Sequence, residues 1–191
     1  MKNMKFQDYI KPDMDRCEFL KTKKAWWRVK VLHEHEYSIW KYMLLLRKEE
    51  YYANKNGIFF KLISNFFRIK KNHLGEKLGF TIHKNVFGPG LRIWHYGNIV
   101  VNAYAKVGKN CTLHGDNCIG NNGKDGKSPR IGDNVDIGVG AKIIGDIDIA
   151  SNVIIGAGAV VNKSFNEEYV IIAGVPAKIV KKFNKSNGKI M

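Results

Sequence analysis

The chain has 191 residues, of which 45% are hydrophobic and 26% charged, and 32 Lys+Arg against 17 Asp+Glu give a formal net charge of +15. That length holds one main core and a small satellite. The basic excess favours an anionic partner, but no helix-turn-helix, zinc-finger or aromatic ribonucleoprotein pattern accompanies it, which argues against nucleic acid.

Residues 1–24 are charged and weakly periodic, and they lack the apolar stretch of a secretory signal. Pro12 followed by residues 13–20 predicts a short helix with the proline in its first turn. Over residues 25–52, Trp26, Trp27, Ile39, Trp40, Met43, Leu44 and Leu46 recur near helical spacing. Lys41, Arg47, Lys48, Glu49 and Glu50 supply an opposite, wet face, so one or two helices are expected before the turn at Asn54-Lys-Asn-Gly57. Residues 58–71 predict another helix. Its apolar side suits packing against the Trp-rich segment, the preferred reading; the alternative is peripheral contact of its Phe and Lys residues with an anionic membrane. Residues 74–80 read as a link into β structure, with a helical N-terminal region over 1–77 and a boundary near residue 78.

From Thr81 strand formers alternate with turn formers, and from Val101 the chain falls into sixes. Aliphatic residues open the units at Val101, Val107, Leu113, Ile119, Ile131, Ile137, Ile143, Ile149, Ile155 and Val161. A second position, mostly small or branched, holds Ala105, Cys111, Asn117, Val135, Ala141, Ile147, Val153, Ala159 and Phe165. This period fits neither a helical stripe nor simple alternation, and it predicts a solenoid: strand residues face inward, and Gly, Asn and Asp take the turns. Between Ile119 and Ile131 the spacing doubles with almost no apolar content. That segment is either a poor coil or, preferably, a loop projecting near 121–130, and a glycine-rich excursion from a rigid scaffold is where a ligand is handled. Residues 170–180 predict a strand and a short helix, and 181–191 a basic tail. Cys17, Cys111 and Cys118 show no CxxC spacing, and no apolar run reaches about 18 residues. Reduced thiols and the absence of a span point to a cytoplasmic protein, with the inner face of the membrane as an alternative location.

The run of Ile-Gly-x-x-Ala/Val-x units resembles the hexapeptide-repeat acyltransferases. The resemblance covers roughly residues 75–180 and implies a mainly β fold: a left-handed parallel β-helix, here over 78–180, preceded by small helices. Asn85-Val-Phe-Gly-Pro-Gly-Leu-Arg-Ile-Trp-His-Tyr-Gly-Asn-Ile-Val-Val-Asn102, Lys127-Ser-Pro-Arg-Ile-Gly132 and Ala173-Gly-Val-Pro-Ala-Lys178 are similar to the serine acetyltransferase branch. They are closer still to short relatives associated with capsule and surface-polysaccharide assembly. The resemblance implies an O-acetyltransferase that uses acetyl-CoA as donor, needs no metal, and works as a homotrimer or a pair of trimers with sites between neighbouring β-helices.

His95, in Trp94-His-Tyr-Gly97, matches the family's catalytic histidine, and imidazole suits removal of a hydroxyl proton at working pH. His114, following a register position, is expected to point outward and, with Trp94 and Asp116, to line the acceptor site. By resemblance, Gly120, Asn121, Val139, Gly140 and Ala157 flank the pantetheine arm of the donor, and by their charge Lys163, Lys178 and the Lys181-Lys182 pair are expected beside its phosphates. Three departures from the serine enzymes bear on the acceptor. Thr81 stands where they carry the aspartate orienting the histidine, Trp94 where an aspartate helps bind the amino acid, and Ser128 where a second histidine precedes the proline. A zwitterion needs a carboxylate opposite its ammonium, whereas an indole offers a flat face to a sugar ring. A sugar hydroxyl of surface-polysaccharide biosynthesis is therefore preferred as acceptor over serine. An amino-sugar N-acetyltransferase and a non-catalytic β-helix scaffold remain as further alternatives.

Overall fold

Four helices lead into the coils: α1 (Phe6–Met14), α2 (Lys23–Val31), α3 (His35–Ala53) and α4 (Ile58–Leu78). The structure, a computed structural model, describes residues 5–123 and 126–184; most of the expected basic tail, 185–191, lies outside the described residues. Thr22 starts α2, its hydroxyl accepting the Ala25 N–H at 3.2 Å. His33, at φ 51°, separates α2 from α3. Pro12 lies inside α1 near its C-terminal end, not in the first turn of a later helix. Burial of Ile10 and Asp13 against the rest of the molecule sets that helix, at the loss of one helical hydrogen bond. α4 also runs further than its sequence pattern suggests, through Leu78. A Cβ on Gly75 would meet the Phe80 carbonyl oxygen at 2.5 Å, so the glycine lets the helix lie against the first strand, and Gly79, left-handed at φ 76°, then ends it.

The strands are β1 (Phe80–Thr81), β2 (Arg92–Ile93), β3 (Ile99–Val101), β4 (Lys106–Val107), β5 (Thr112–Leu113), β6 (Cys118–Gly120) and β7 (Arg130–Ile131). They continue as β8 (Asp136–Ile137), β9 (Lys142–Ile144), β10 (Asp148–Ile149), β11 (Ile154–Ile155), β12 (Val160–Val161), β13 (Val170–Ala173) and β14 (Lys178–Lys182). Three sheets form the faces of the coil: β1-β3-β6-β9-β12, β4-β7-β10 and β2-β5-β8-β11-β13-β14. Among the described residues every pairing between successive coils is parallel, and β13–β14 is the antiparallel pairing. This is the hexapeptide-repeat β-helix with a small helical region ahead of it. All the unit-opening aliphatics from Val101 to Val161 are buried, as are the second positions from Ala105 to Phe165.

Ile119 pairs with Ile143 and Val107 with Ile131, so the surplus unit between Ile119 and Ile131 leaves the stack between β6 and β7. Turn asparagines stack as the coils do. Asn110, Asn134 and Asn152 all have left-handed φ near 57°, and side-chain amides link Asn110 to Asn134 at 2.9 Å and Asn134 to Asn152 at 3.0 Å. Residues 178–182 form β14, not the expected short helix; β-branched Ile179 and Val180 suit a strand that returns along β13.

The helical region is joined to the first coil by buried charge. Arg47 donates to Asp13 at 2.6 Å, to Glu50 at 2.8 Å, and to the carbonyls of Phe87 and Gly88 at 3.0 and 2.7 Å. Asp13 accepts the N–H groups of Gly90 and Leu91, and Glu50 that of Asn85. Lys71 pairs with Glu49 at 2.8 Å and donates to the Ile82 carbonyl at 2.8 Å. Arg47, Glu49 and Glu50 are thus not on a wet face; helical spacing placed them there, whereas α1 and the first coil cover Arg47 and Glu50 and Lys71 of α4 covers Glu49. Burial alone pulls the Arg47 guanidinium down, but Glu50 and Asp13 outweigh it and hold it charged.

Candidate functional site

Each passage from β2, β5, β8 and β11 to β3, β6, β9 and β12 turns through a short corner, and the corners stack. Trp94 N–H donates to Leu113, His114 to Ile137, Gly138 to Ile155 and Gly156 to Ile172. Within the column, Gly140 N–H donates to Gly115 at 3.0 Å and Gly158 N–H to Val139 at 2.8 Å. Gly140 and Gly158 have φ of 73° and 66°, which a side chain would strain. The column therefore runs from His95 through His114–Asp116 and Val139–Gly140 to Ala157–Gly158. It brings together six of the predicted site residues: His95, His114, Asp116, Val139, Gly140 and Ala157, with Trp94 at its head.

His95 is exposed, and its ring stacks on that of His35, the first residue of α3, at 5.5 Å and 27°. A Cβ on Gly115 would lie 3.4 Å from the His95 Cβ, so the next coil passes close beneath the imidazole. Among the described residues His95 forms no ion pair. The histidine that faces a carboxylate here is His114, whose Nε2 lies 2.8 Å from Asp136 Oδ1. Trp94 stacks on His114 at 6.1 Å and 22°, and the Arg92 guanidinium lies 3.7 Å from the Trp94 ring centroid. Arg92, Thr112 and Asp136 are neighbours on β2, β5 and β8. Arg16 reaches in from beyond α1, donating to Thr112 Oγ1 at 2.8 Å and to the Gly90 and Cys111 carbonyls.

His35, Arg16, Arg92 and Asp136 are absent from the sequence-derived set. Asp136 sits at a fixed spacing within its unit and was readable as an outward neighbour of the His114 coil. His35 and Arg16 come from the helical region, and no repeat links them to the coils. Asp116, at φ 53°, is engaged by Lys142, which donates to its carbonyl at 2.7 Å and stands 3.6 Å from its carboxylate.

The residues expected along the donor divide between two edges of one face. Val139, Gly140 and Ala157 lie in the His95 column. Gly120 ends β6 and Asn121 follows it at the opposite edge, where Gly145 N–H donates to the Gly120 carbonyl at 2.9 Å. Lys163 follows β12 at that same edge, its Nζ 5.5 Å from the Phe165 ring, and Lys178 opens exposed β14. A cavity of about 1080 Å³ lies elsewhere, between α1 and the β4-β7-β10 face, and none of these residues lines it.

Burial raises the Asp136 carboxyl above the usual aspartate range, against the lowering effect of His114. A raised folded-state value means that its contribution to stability is full below the ordinary aspartate pKa and is lost as pH rises through the folded value. Asp136→Asn should therefore gain stability relative to wild type as pH rises from the ordinary aspartate range to neutrality. Denaturant midpoints of both proteins across that window check it; a pH-independent difference would refute the assignment.

No family model matches the chain. Serine acetyltransferase of Staphylococcus xylosus is 32% identical over 116 residues, covering 59% of this chain and 49% of that protein. The chain thus spans about half the length of this curated relative. Among solved structures, serine acetyltransferase of Neisseria gonorrhoeae superposes with a TM-score of 0.68 at 26% identity, over 96% of this chain and 69% of that one. Serine acetyltransferase in complex with coenzyme A from Brucella abortus strain S19 superposes with a TM-score of 0.69 at 25% identity, over 94% and 69%.

Proposed function

We propose that this homologue of the serine acetyltransferases is an acetyl-CoA-dependent O-acetyltransferase with His95 as general base. The observation that carries the reading is the placement of His95 at the head of a column of small-residue turns, an open track for a thin ligand beside a proton acceptor. The hydroxyl proton of the acceptor passes to His95 as its oxygen attacks the thioester carbonyl. The tetrahedral intermediate collapses, the C–S bond breaks, and the thiolate of coenzyme A takes the proton back. Preorganised N–H donors stabilise the oxyanion best, and the Gly120–Asn121 turn is the candidate. That turn and His95 occupy opposite edges of one face in a single chain. A site using both is assembled between adjacent copies, which supports a homotrimer.

The relatives found are serine acetyltransferases, and they favour serine as acceptor over the sugar hydroxyl preferred from sequence alone. A second reading, a sugar hydroxyl, keeps one specific support: Trp94, held between Arg92 and His114, offers an aromatic surface where the serine enzymes carry an aspartate. The resemblance to surface-polysaccharide enzymes otherwise rests on sequence motifs. Thiol release from acetyl-CoA, followed with L-serine and with a panel of mono- and nucleotide sugars, separates the two. Turnover on serine is the expected result; turnover on a sugar with none on serine would replace it by the second reading.

A further inference from the structure

One face of α4 is packed and the other is bare. Inward, Ser64, Lys71 and Gly75 are buried, and Phe67 stacks on Tyr52 of α3 at 5.6 Å. Outward, Ile58, Phe59, Leu62, Phe66 and Ile69 are each between 51% and 72% exposed. Ile58, Leu62, Phe66 and Ile69 recur at helical spacing with Phe59 beside them, so the five form one stripe along the first three turns, about 16 Å long. The preferred sequence reading, helix packing, accounts for only half of this helix.

Charge on the flanks identifies the occupant. Lys61 and Arg68 border the stripe on one side and Lys70 on the other, all exposed, and residues 58–71 contain no Asp or Glu. Pairing two copies of this face would bring six cations together around an apolar seam with no acidic group on either stripe, which costs free energy through like-charge repulsion. An anionic bilayer satisfies both features at once: the apolar side chains enter the acyl boundary, and the basic groups remain at the headgroups on their alkyl stems. The Lys70 ammonium already lies over the Phe66 ring at 4.3 Å, a position from which it can extend toward a phosphate. No helix among the described residues is long and apolar enough to cross a membrane, so the helix would lie in the interface plane.

We infer that the exposed face of α4 docks the protein on anionic phospholipid bilayers. This is independent of the acetyl-transfer reading, because none of these residues belongs to the His95 column. The test is co-sedimentation of the full chain with phosphatidylcholine vesicles with and without phosphatidylglycerol. It is repeated for Phe59→Ser/Phe66→Ser and for Lys61→Glu/Lys70→Glu, with light scattering of each protein in solution. Wild type should pellet with the anionic vesicles. Each double variant should lower the partition coefficient by at least about tenfold, with unchanged mass in solution and unchanged thermal unfolding. Wild type left in the supernatant with anionic vesicles would overturn the inference. So would a Phe59→Ser/Phe66→Ser protein of lower mass in solution, which would assign the face to contacts between copies.

Discussion

His95→Ala is expected to lower kcat by about 10²–10⁴ while leaving the KM for acetyl-CoA near its wild-type value. The imidazole is exposed at the head of the corner column, stacked on the His35 ring and passed closely by Gly115, neither of which stands in its place at the head of that column. The side chain contributes little to the core, so the variant should unfold at the wild-type temperature, and loss of rate can be read as loss of chemistry. Steady-state thiol release by wild type, His95→Ala and His114→Ala provides the comparison. Full turnover by His95→Ala would dismiss it as the base, and a collapse confined to His114→Ala would move that role to the histidine paired with Asp136.

The second large effect is on stability. Arg47→Met should cost about 3–5 kcal/mol, because it removes the one cation between Asp13 and Glu50 and leaves two buried carboxylates facing each other. It also strips the Phe87 and Gly88 carbonyls of their donor. Replacing the cluster together, as Asp13→Asn, Arg47→Met and Glu50→Gln, should recover part of the loss, since the charge imbalance rather than the missing contact dominates. Urea unfolding followed by far-ultraviolet circular dichroism measures both. A single-variant loss within about 1 kcal/mol would mean that the cluster is reached by water and does not join the helices to the coil as described.

The coil could be read from the sequence because its packing is regular in sequence: Ile131, Ile137 and Ile143 each fill an inward position whose strand partner, Ile149, Ile155 or Val161, lies one coil further on. Turn chemistry was equally readable, since Asn134 and Asn152 occupy left-handed positions that few other residues tolerate. The helical region resisted for the opposite reason. Arg47, Glu49 and Glu50 have the spacing of a solvated face, and only α1, α4 and the first coil, all outside their own helix, make it a buried one. The site divides in the same way. The residues from the coils were found by register and by resemblance, whereas His35 on His95 and Arg16 on Thr112 arise from docking of helices that no periodicity encodes. The end of α4 was missed because Gly75, ordinarily a weak helix former, is there for the close passage of Phe80.

The antiparallel course of β14 has a bearing on how far such a molecule can grow. A stack of parallel coils ends in a row of unpaired backbone groups, and an identical stack could continue it in register, as a fibre does. On the face that carries β13, that row is taken by a strand of opposite direction with an interruption in its register between Ile171 and Ile172, and it presents Lys178, Lys181 and Lys182 outward. Another copy arriving end-on meets a strand of the wrong polarity. On that face, continuation of the stack by another copy is thereby disfavoured, and with it the open, fibre-like mode of association.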